Sequence, residues 1–287
     1  MLHFKKLLIA SFGLRVAGPL WMLLILAALP LSAADLIPDA NLQTVLKAVL
    51  KQKQIDKPQI EEADLKTIFF LDARGKSISD LTGLEKCVNL AEVRLSENQI
   101  QNLQPLAELK NIQSLDLASN RIQDVTPLSG LVKLQYLQLA GNQIEKIEGL
   151  AKLENLRTLF LSDNKLTALA PLAGLKKLTS LYLDNNTVAD LAPLAELKGL
   201  SSLGLKQNRV ADLSALGQMT ELRYLFLEGN PLGDLQPLVD SAEKDVAGPQ
   251  RFAPYLFLYL DVDKLPATSQ PQVERLKALG VRINRRP

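Results

Sequence analysis

The sequence predicts an α/β solenoid. Short coils stack in one direction, with a curved parallel β-sheet on the concave face, a mostly irregular or 3-10 convex face, and helical caps at both ends. Three observations predict it. An apolar pattern recurs every 22 residues with no insertion or deletion. One of its columns is asparagine in seven consecutive copies. The apolar positions between those copies also fall in fixed columns. A unit of this kind buries its apolar side only against the next unit, so the copies must stack into one continuous core.

Taken in chain order, residues 1–34 read as a secretory signal peptide. Lys5, Lys6 and Arg15 precede an apolar run from Val16 to Leu31, and Pro30 leads into the small residues Ser32, Ala33 and Ala34. Ser32 and Ala34 fit a small-residue cleavage site, which places the mature start at Asp35. An uncleaved anchor is the alternative. Residues 35–67 are expected to form a helical cap. Asp39 caps a helix over Ala40–Lys51 that carries Leu42, Val45, Leu46 and Val49 on one side, and a second short helix is expected near 58–64.

The frame L-x-x-L-x-L-x-x-N-x-I starts at Leu90, Ile112, Leu134, Leu156, Leu178, Leu200 and Leu222. A degenerate first copy starts at Ile68, with Leu71, Ala73 and Ile78 in register and Lys76 in the asparagine column. Alternation in L-x-L is the signature of a short strand with Leu inward. The asparagines are Asn98, Asn120, Asn142, Asn164, Asn186, Asn208 and Asn230. They fall where the chain leaves the strand, and their amides are expected to pair backbone groups of the turns. Pro105, Pro127, Pro171, Pro193 and Pro237 suit a non-helical return path. These eight repeats span 68–243.

Residues 244–287 hold a displaced ninth copy and a C-terminal cap. Tyr255, Leu258, Leu260, Asp263 and Leu265 fit the first, fourth, sixth, ninth and eleventh columns. The eleven extra residues before them are expected to form a helix over Pro237–Gly248 with Leu238, Ala242 and Val246 on one face. A helix over Pro271–Leu279 and a last strand at Val281–Ile283 complete the expectation.

The repeat over 68–243 resembles the short, 22-residue class of leucine-rich repeats found in bacterial internalins. The resemblance implies the helical N-terminal cap and a function in recognising another protein; for an invasion factor of that family it would imply a host receptor. The wall-anchoring and immunoglobulin-like extensions of the family have no counterpart here, so attachment to the cell wall is not expected.

Composition narrows the chemistry. The chain has one His (His3), one Cys (Cys87) and one Trp (Trp21). Without 1–34 no histidine remains, which excludes histidine-based acid–base catalysis and histidine-ligated metals. Cys87 stands in a leucine column and reads as a buried apolar residue. Removing Lys5, Lys6 and Arg15 leaves 30 Lys and Arg against 31 Asp and Glu, a balance that gives no case for nucleic acid. Asp163, Asp184, Asn185 and Asp261 lack the spacing of a calcium loop and read as solvated turns. Glu108 with Lys110, and Glu196 with Lys198, read as a solvated outer face. Arg282, Arg285 and Arg286 read as an exposed basic end. No cofactor, metal or enzymatic activity is expected.

The outward strand positions carry the functional expectation. They are the third and fifth columns of each copy, and eight of the eleven aromatics beyond residue 34 fall there, where random placement gives about one. The fifth column runs Asp72, Arg94, Asp116, Gln138, Phe160, Tyr182, Gly204, Phe226, Tyr259, from charged to aromatic. Exposed rings supply large contact area at low entropic cost. A partner-binding patch is therefore expected at Phe160, Tyr182, Phe226 and Tyr259, extended by Tyr136 and Tyr224, with Gly204 leaving a notch for a partner side chain. The partner is another protein or a surface glycan. The chain is expected to act as a monomer outside the cytoplasm, with no membrane span once the signal is removed. The alternatives are a structural envelope scaffold and an intracellular regulatory subunit of a phosphatase.

Overall fold

The computed structural model describes residues 36–285. The expected signal peptide and Arg286 lie outside the described residues. Ten strands form one open sheet in strict chain order, every pair parallel. They are β1 (Phe70–Asp72), β2 (Glu92–Arg94), β3 (Ser114–Asp116), β4 (Tyr136–Gln138), β5 (Thr158–Phe160), β6 (Ser180–Tyr182), β7 (Ser202–Gly204), β8 (Tyr224–Phe226), β9 (Phe257–Tyr259) and β10 (Arg282–Ile283). From β1 to β8 each residue pairs with the one 22 positions on, as Leu137 does with Leu159. β9 keeps the same register across its longer connection, Tyr224 pairing with Phe257. Among the described residues no helix is long and apolar enough to cross a membrane.

The register places all central strand residues, from Leu71 and Val93 to Leu258, in one core with no solvent exposure. Cys87 lies in that core, and burial pushes its thiol up to about 12. The return segments are 3-10 turns, and Pro105, Pro127, Pro171 and Pro193 occupy their second positions. Pro237 instead opens a helix, where a missing N–H is tolerated. Several turns are capped from outside by a carboxylate two residues before them: Asp124 accepts from the Thr126 N–H, Asp190 from Ala192 and Asp212 from Ser214, each at 2.8 Å.

Each asparagine of the ninth column reaches back to the preceding coil. Asn120 Nδ2 donates to the carbonyls of Leu95 at 2.9 Å, Leu117 at 3.0 Å and Ala118 at 3.1 Å, and its Oδ1 accepts from the Ile100 N–H at 3.0 Å. Asn142, Asn164, Asn186 and Asn208 repeat the arrangement. Asn98 does so for the first coil, where its Oδ1 accepts from both Lys76 and Ile78. Lys76 needs no amide because no coil precedes it. The residue before each asparagine sits in the left-handed region: Glu97, Ser119, Asp163, Asn185 and Gln207 have φ between 53° and 59°, and Gly75, Gly141 and Gly229 share the column. Asp163 and Asn185 are therefore turn residues, and they bond each other at 2.7 Å.

At the amino end, α1 (Ala40–Gln52) buries Leu42, Leu46 and Leu50, with Val45 and Val49 flanking. The Asp39 carboxylate caps it, Oδ1 accepting from the N–H groups of Asn41 and Leu42 at 3.0 Å. Its Oδ2 accepts from Ser79 at 2.9 Å and Asp80 at 3.2 Å, which ties the cap to the first coil. The second helix, α2 (Glu62–Leu65), is shorter and later than expected. Asp64 Oδ2 accepts the Glu61 N–H at 3.1 Å, which fixes the helix start after Glu61.

The carboxyl end departs from expectation in three places. α3 (Gln236–Val246) buries Leu238, Val239, Ala242 and Asp245, while Val246 is 38% exposed. At about 100° per residue, position 245 lies within about 20° of the Leu238 stripe and position 246 about 80° off it. Tyr255 is 52% exposed, because the turn Ala253–Tyr255 brings Leu256 and Phe252 into the core place expected for it. Asp263 is exposed on a 3-10 turn, and the amide rung is supplied by Asn284, whose Oδ1 accepts from Leu260 at 3.0 Å and whose Nδ2 donates to the same residue's carbonyl at 2.9 Å. α4 (Gln270–Ala278) packs Val273 and Leu276 beneath this end.

Candidate functional site

The third and fifth columns stand on the face of the sheet turned away from the leucine core. Three regions follow one another along it. At the amino end it is a charged network. Arg94 pairs with Glu92 at 2.7 Å and with Asp72 at 3.7 Å, and Arg74 pairs with Asp72 at 2.7 Å. The Arg74 guanidinium, aided by Arg94, holds the Asp72 carboxyl below its ordinary range against the effect of burial. Arg94 lies over the Phe70 ring at 5.2 Å, and Ser96 donates to Asp116 at 2.8 Å.

Six of the sequence-predicted rings form two groups. In the first, Tyr136 meets Phe160 at 5.7 Å with planes tilted by 55°, and Phe160 stacks on Tyr182 at 4.8 Å and 4°. In the second, Phe226 stacks on Tyr259 at 4.8 Å, and Tyr224 on Phe257 at 5.4 Å. The stacking distance is the strand spacing, about 4.8 Å, so rings in one column on adjacent strands meet face to face. The second group is braced by Arg282 over Phe257 at 4.8 Å and by the Tyr259 hydroxyl donating to the Arg285 carbonyl at 2.8 Å. Phe160, Tyr182, Tyr224, Phe226 and Tyr259 are half-buried, and Tyr136 is 36% exposed.

The two groups are not one row. β7 carries Ser202 and Gly204 in the outward columns and parts them. The notch expected at Gly204 is closed. Gly204 is buried, and a β-carbon placed there would lie 2.8 Å from the Tyr182 ring and 2.9 Å from the Asp184 carboxylate. Those two side chains lean into the space that glycine leaves.

A row missed by sequence reasoning runs beside this gap, in the seventh column. Asp184 Oδ1 accepts the Lys206 N–H at 2.8 Å, and Ser162 donates to Oδ2 at 3.4 Å. The Lys206 ammonium pairs with Glu228 at 2.9 Å and stands 5.1 Å over the Phe226 ring. Burial pushes the Asp184 carboxyl up, with Lys206 pulling against it and Glu228 adding to it. Glu228 Oε2 is buried without a hydrogen-bond partner. The signal was available: the seventh column changes from Ala118, Ala140 and Ser162 to Asp184, Lys206 and Glu228 where the glycine falls. Asp184 is thus not a solvated turn. Among the described residues no group of three or more His, Cys, Asp or Glu could hold a metal ion.

A parallel sheet wound once per 22 residues, with an amide ladder on one side and 3-10 turns on the other, is a leucine-rich-repeat solenoid. The family model for leucine-rich repeats in two copies matches residues 110–152 and 154–196. Internalin C2 of Listeria monocytogenes is 34% identical, with a TM-score of 0.68 over 71% of this chain and 90% of that one. The chain belongs to the internalin-like family of leucine-rich-repeat proteins. A leucine-rich-repeat protein of Leptospira interrogans shares the fold at 24% identity and a TM-score of 0.68, covering 77% of this chain and 56% of its own. A plant peptide hormone receptor solved in complex with its peptide matches at 25% identity and a TM-score of 0.51, over 62% of this chain and 30% of the receptor. No curated protein sequence matches the chain.

Proposed function

We propose that this protein is a non-enzymatic binding module that grips a protein partner outside the cytoplasm through the outer face of its sheet. The two ring groups are its anchors, Tyr136–Phe160–Tyr182 on one side and Tyr224–Phe226–Tyr259 on the other. The observation that supports this reading is that both groups stand on one continuous sheet, their ring faces packed against neighbouring side chains and the rings still partly open to solvent. Anchors held rigid lose little entropy when a partner covers them. The asparagine ladder holds the strands beneath them in register. Leucine-rich-repeat proteins commonly serve as protein-interaction modules, and the plant receptor that shares the fold was solved with a peptide bound. The leader-like segment 1–34 supports export, and sequencing the mature protein tests it: a start at Asp35 is expected.

A photoreactive phenylalanine analogue placed at Tyr182 or at Tyr259 tests the binding reading. Both positions should crosslink the same protein in cells that make this chain, and Val132, exposed outside the sheet, should not. The double variant Phe160→Ala with Phe226→Ala should lose that adduct. Crosslinking of equal yield at Val132 would refute it.

A further inference from the structure

A second surface lies along the edge where the chain enters the strands. Column by column, three successive coils place Lys133, Lys152, Arg157, Lys176 and Lys177 there, all exposed, with Glu154 as the one carboxylate among them. The neighbouring lysines of this edge are neutralised: Lys110 pairs with Glu108 at 3.4 Å and Lys198 with Glu196 at 3.5 Å. Among the described residues none of the five has a carboxylate within ion-pairing distance. Five exposed cations without an ion-pair partner thus lie together on three successive coils, and the coil at either side carries a paired lysine on the same edge.

Two of these cations are also held in place. Lys133 Nζ donates to Asn111 Oδ1 at 2.8 Å, and Lys177 Nζ donates to Asn155 Oδ1 at 2.7 Å. The asparagines are fixed in turn, Asn111 Nδ2 on the Val88 carbonyl at 3.1 Å and Asn155 Nδ2 on Val132 at 2.8 Å. Lys133 and Lys177 therefore stand in line two rungs apart, about 10 Å by the strand spacing. Between this line and the rings lie Gln135, Thr158, Thr179 and Ser180, and then the open edge of Tyr136.

We infer that this edge binds a linear acidic polysaccharide. Its regularly spaced sulfates or carboxylates would lie along Lys133, Arg157 and Lys177, with its hydroxyls on the adjoining amide and hydroxyl side chains. The narrow, straight shape of the row matches a polymer. A flat anionic bilayer would press on Glu108 and Glu196 at the two ends, and a compact anion would use only one rung. This surface is separate from the protein-binding face and does not depend on it.

The test measures binding of the protein to heparin, to polygalacturonate, to neutral dextran and to phosphatidylglycerol vesicles across a salt series. Binding to heparin, to polygalacturonate or to both is expected, which separates sulfate from carboxylate recognition, with none to dextran. The variant K133Q/R157Q/K177Q should lose roughly tenfold in affinity, and its salt dependence should flatten by about two to three charges. K152Q/K176Q, which touches no asparagine, should weaken binding in the same direction. K110Q/K198Q should leave affinity within about twofold, because those ammoniums are already paired. The inference is overturned by equal loss in K110Q/K198Q, by no loss in either of the other two variants, by binding to vesicles alone, or by binding to neither acidic polymer. Phe160→Ala with Phe226→Ala should keep the polymer, so failure of one surface is distinguishable from failure of the other.

Discussion

Single residues in this molecule act through the backbone of their neighbours. Asn142 Nδ2 bonds the carbonyls of Leu117 and Leu139, and its Oδ1 the Ile122 N–H, all buried. Asn142→Ala should therefore cost about 1–3 kcal/mol in urea unfolding, by leaving such groups unpaired. Glu97 is the reverse case. Its φ of 59° is one a glycine adopts freely, so Glu97→Gly should raise stability by about 1 kcal/mol. Asp184 tests the missed row. Its raised carboxyl pKa means that the folded state binds a proton more readily than the unfolded chain, so it subtracts stability once the pH exceeds the ordinary aspartate value of about 3.9. Asp184→Asn keeps an acceptor for Lys206 and should gain stability at neutral pH, with the gain vanishing in acid. The asparagine column was legible because its role depends only on register. Gly204 was not: the absence of a side chain says nothing of which neighbours lean in, and here Tyr182 and Asp184 do.

At the scale of elements, two carboxylates fasten the caps. Asp245 is 2% exposed and accepts the N–H groups of Arg251 at 2.8 Å and of Phe252 and Ala253 at 2.9 Å. Burial raises the carboxyl of Asp245, and that of Asp39, but backbone donors outweigh it and hold both below the ordinary range. The stability each contributes is then complete above the unfolded value of about 3.9 and lost as the pH falls through the lower folded value. Asp245→Ala should cost about 3 kcal/mol, from donors left bare in the core, and Asp39→Ala about 1 kcal/mol. Chemical unfolding at pH 7 and in acid reads both, and the wild-type advantage over each variant should shrink in acid. The capped helix at Asp39 could be read in advance because the cap and the apolar spacing lie together in sequence. The contact from Asp245 could not, since its donors come from a loop whose path no local pattern specifies. The same loop displaced Tyr255 in favour of Leu256.

At the scale of the whole molecule, stability is a sum over coils and their interfaces. Excision of one complete interior unit, residues 134–155, should leave a folded chain with strand content reduced in proportion, visible by circular dichroism. Excision of eleven residues should abolish cooperative unfolding, because half a unit is too short to leave one strand, cross the return face and reach the next, so the stack would part at the cut. The stack and its outward columns were plain from periodicity alone. How the outward face divides was not, because the division depends on pairings across coils, such as Lys206 with Glu228.

The amide ladder also has a polarity. Every asparagine from Asn98 to Asn230 reaches toward the amino end, so the later coil always brings the group that closes the earlier one. A chain emerging from a ribosome or a translocation channel delivers its coils in that same order. Each newcomer seals the turn already waiting for it, and the helix at the amino end, anchored through Asp39, provides the floor on which the first is laid. Assembly can thus run in the direction of synthesis, with only the newest turn still open to water at any moment.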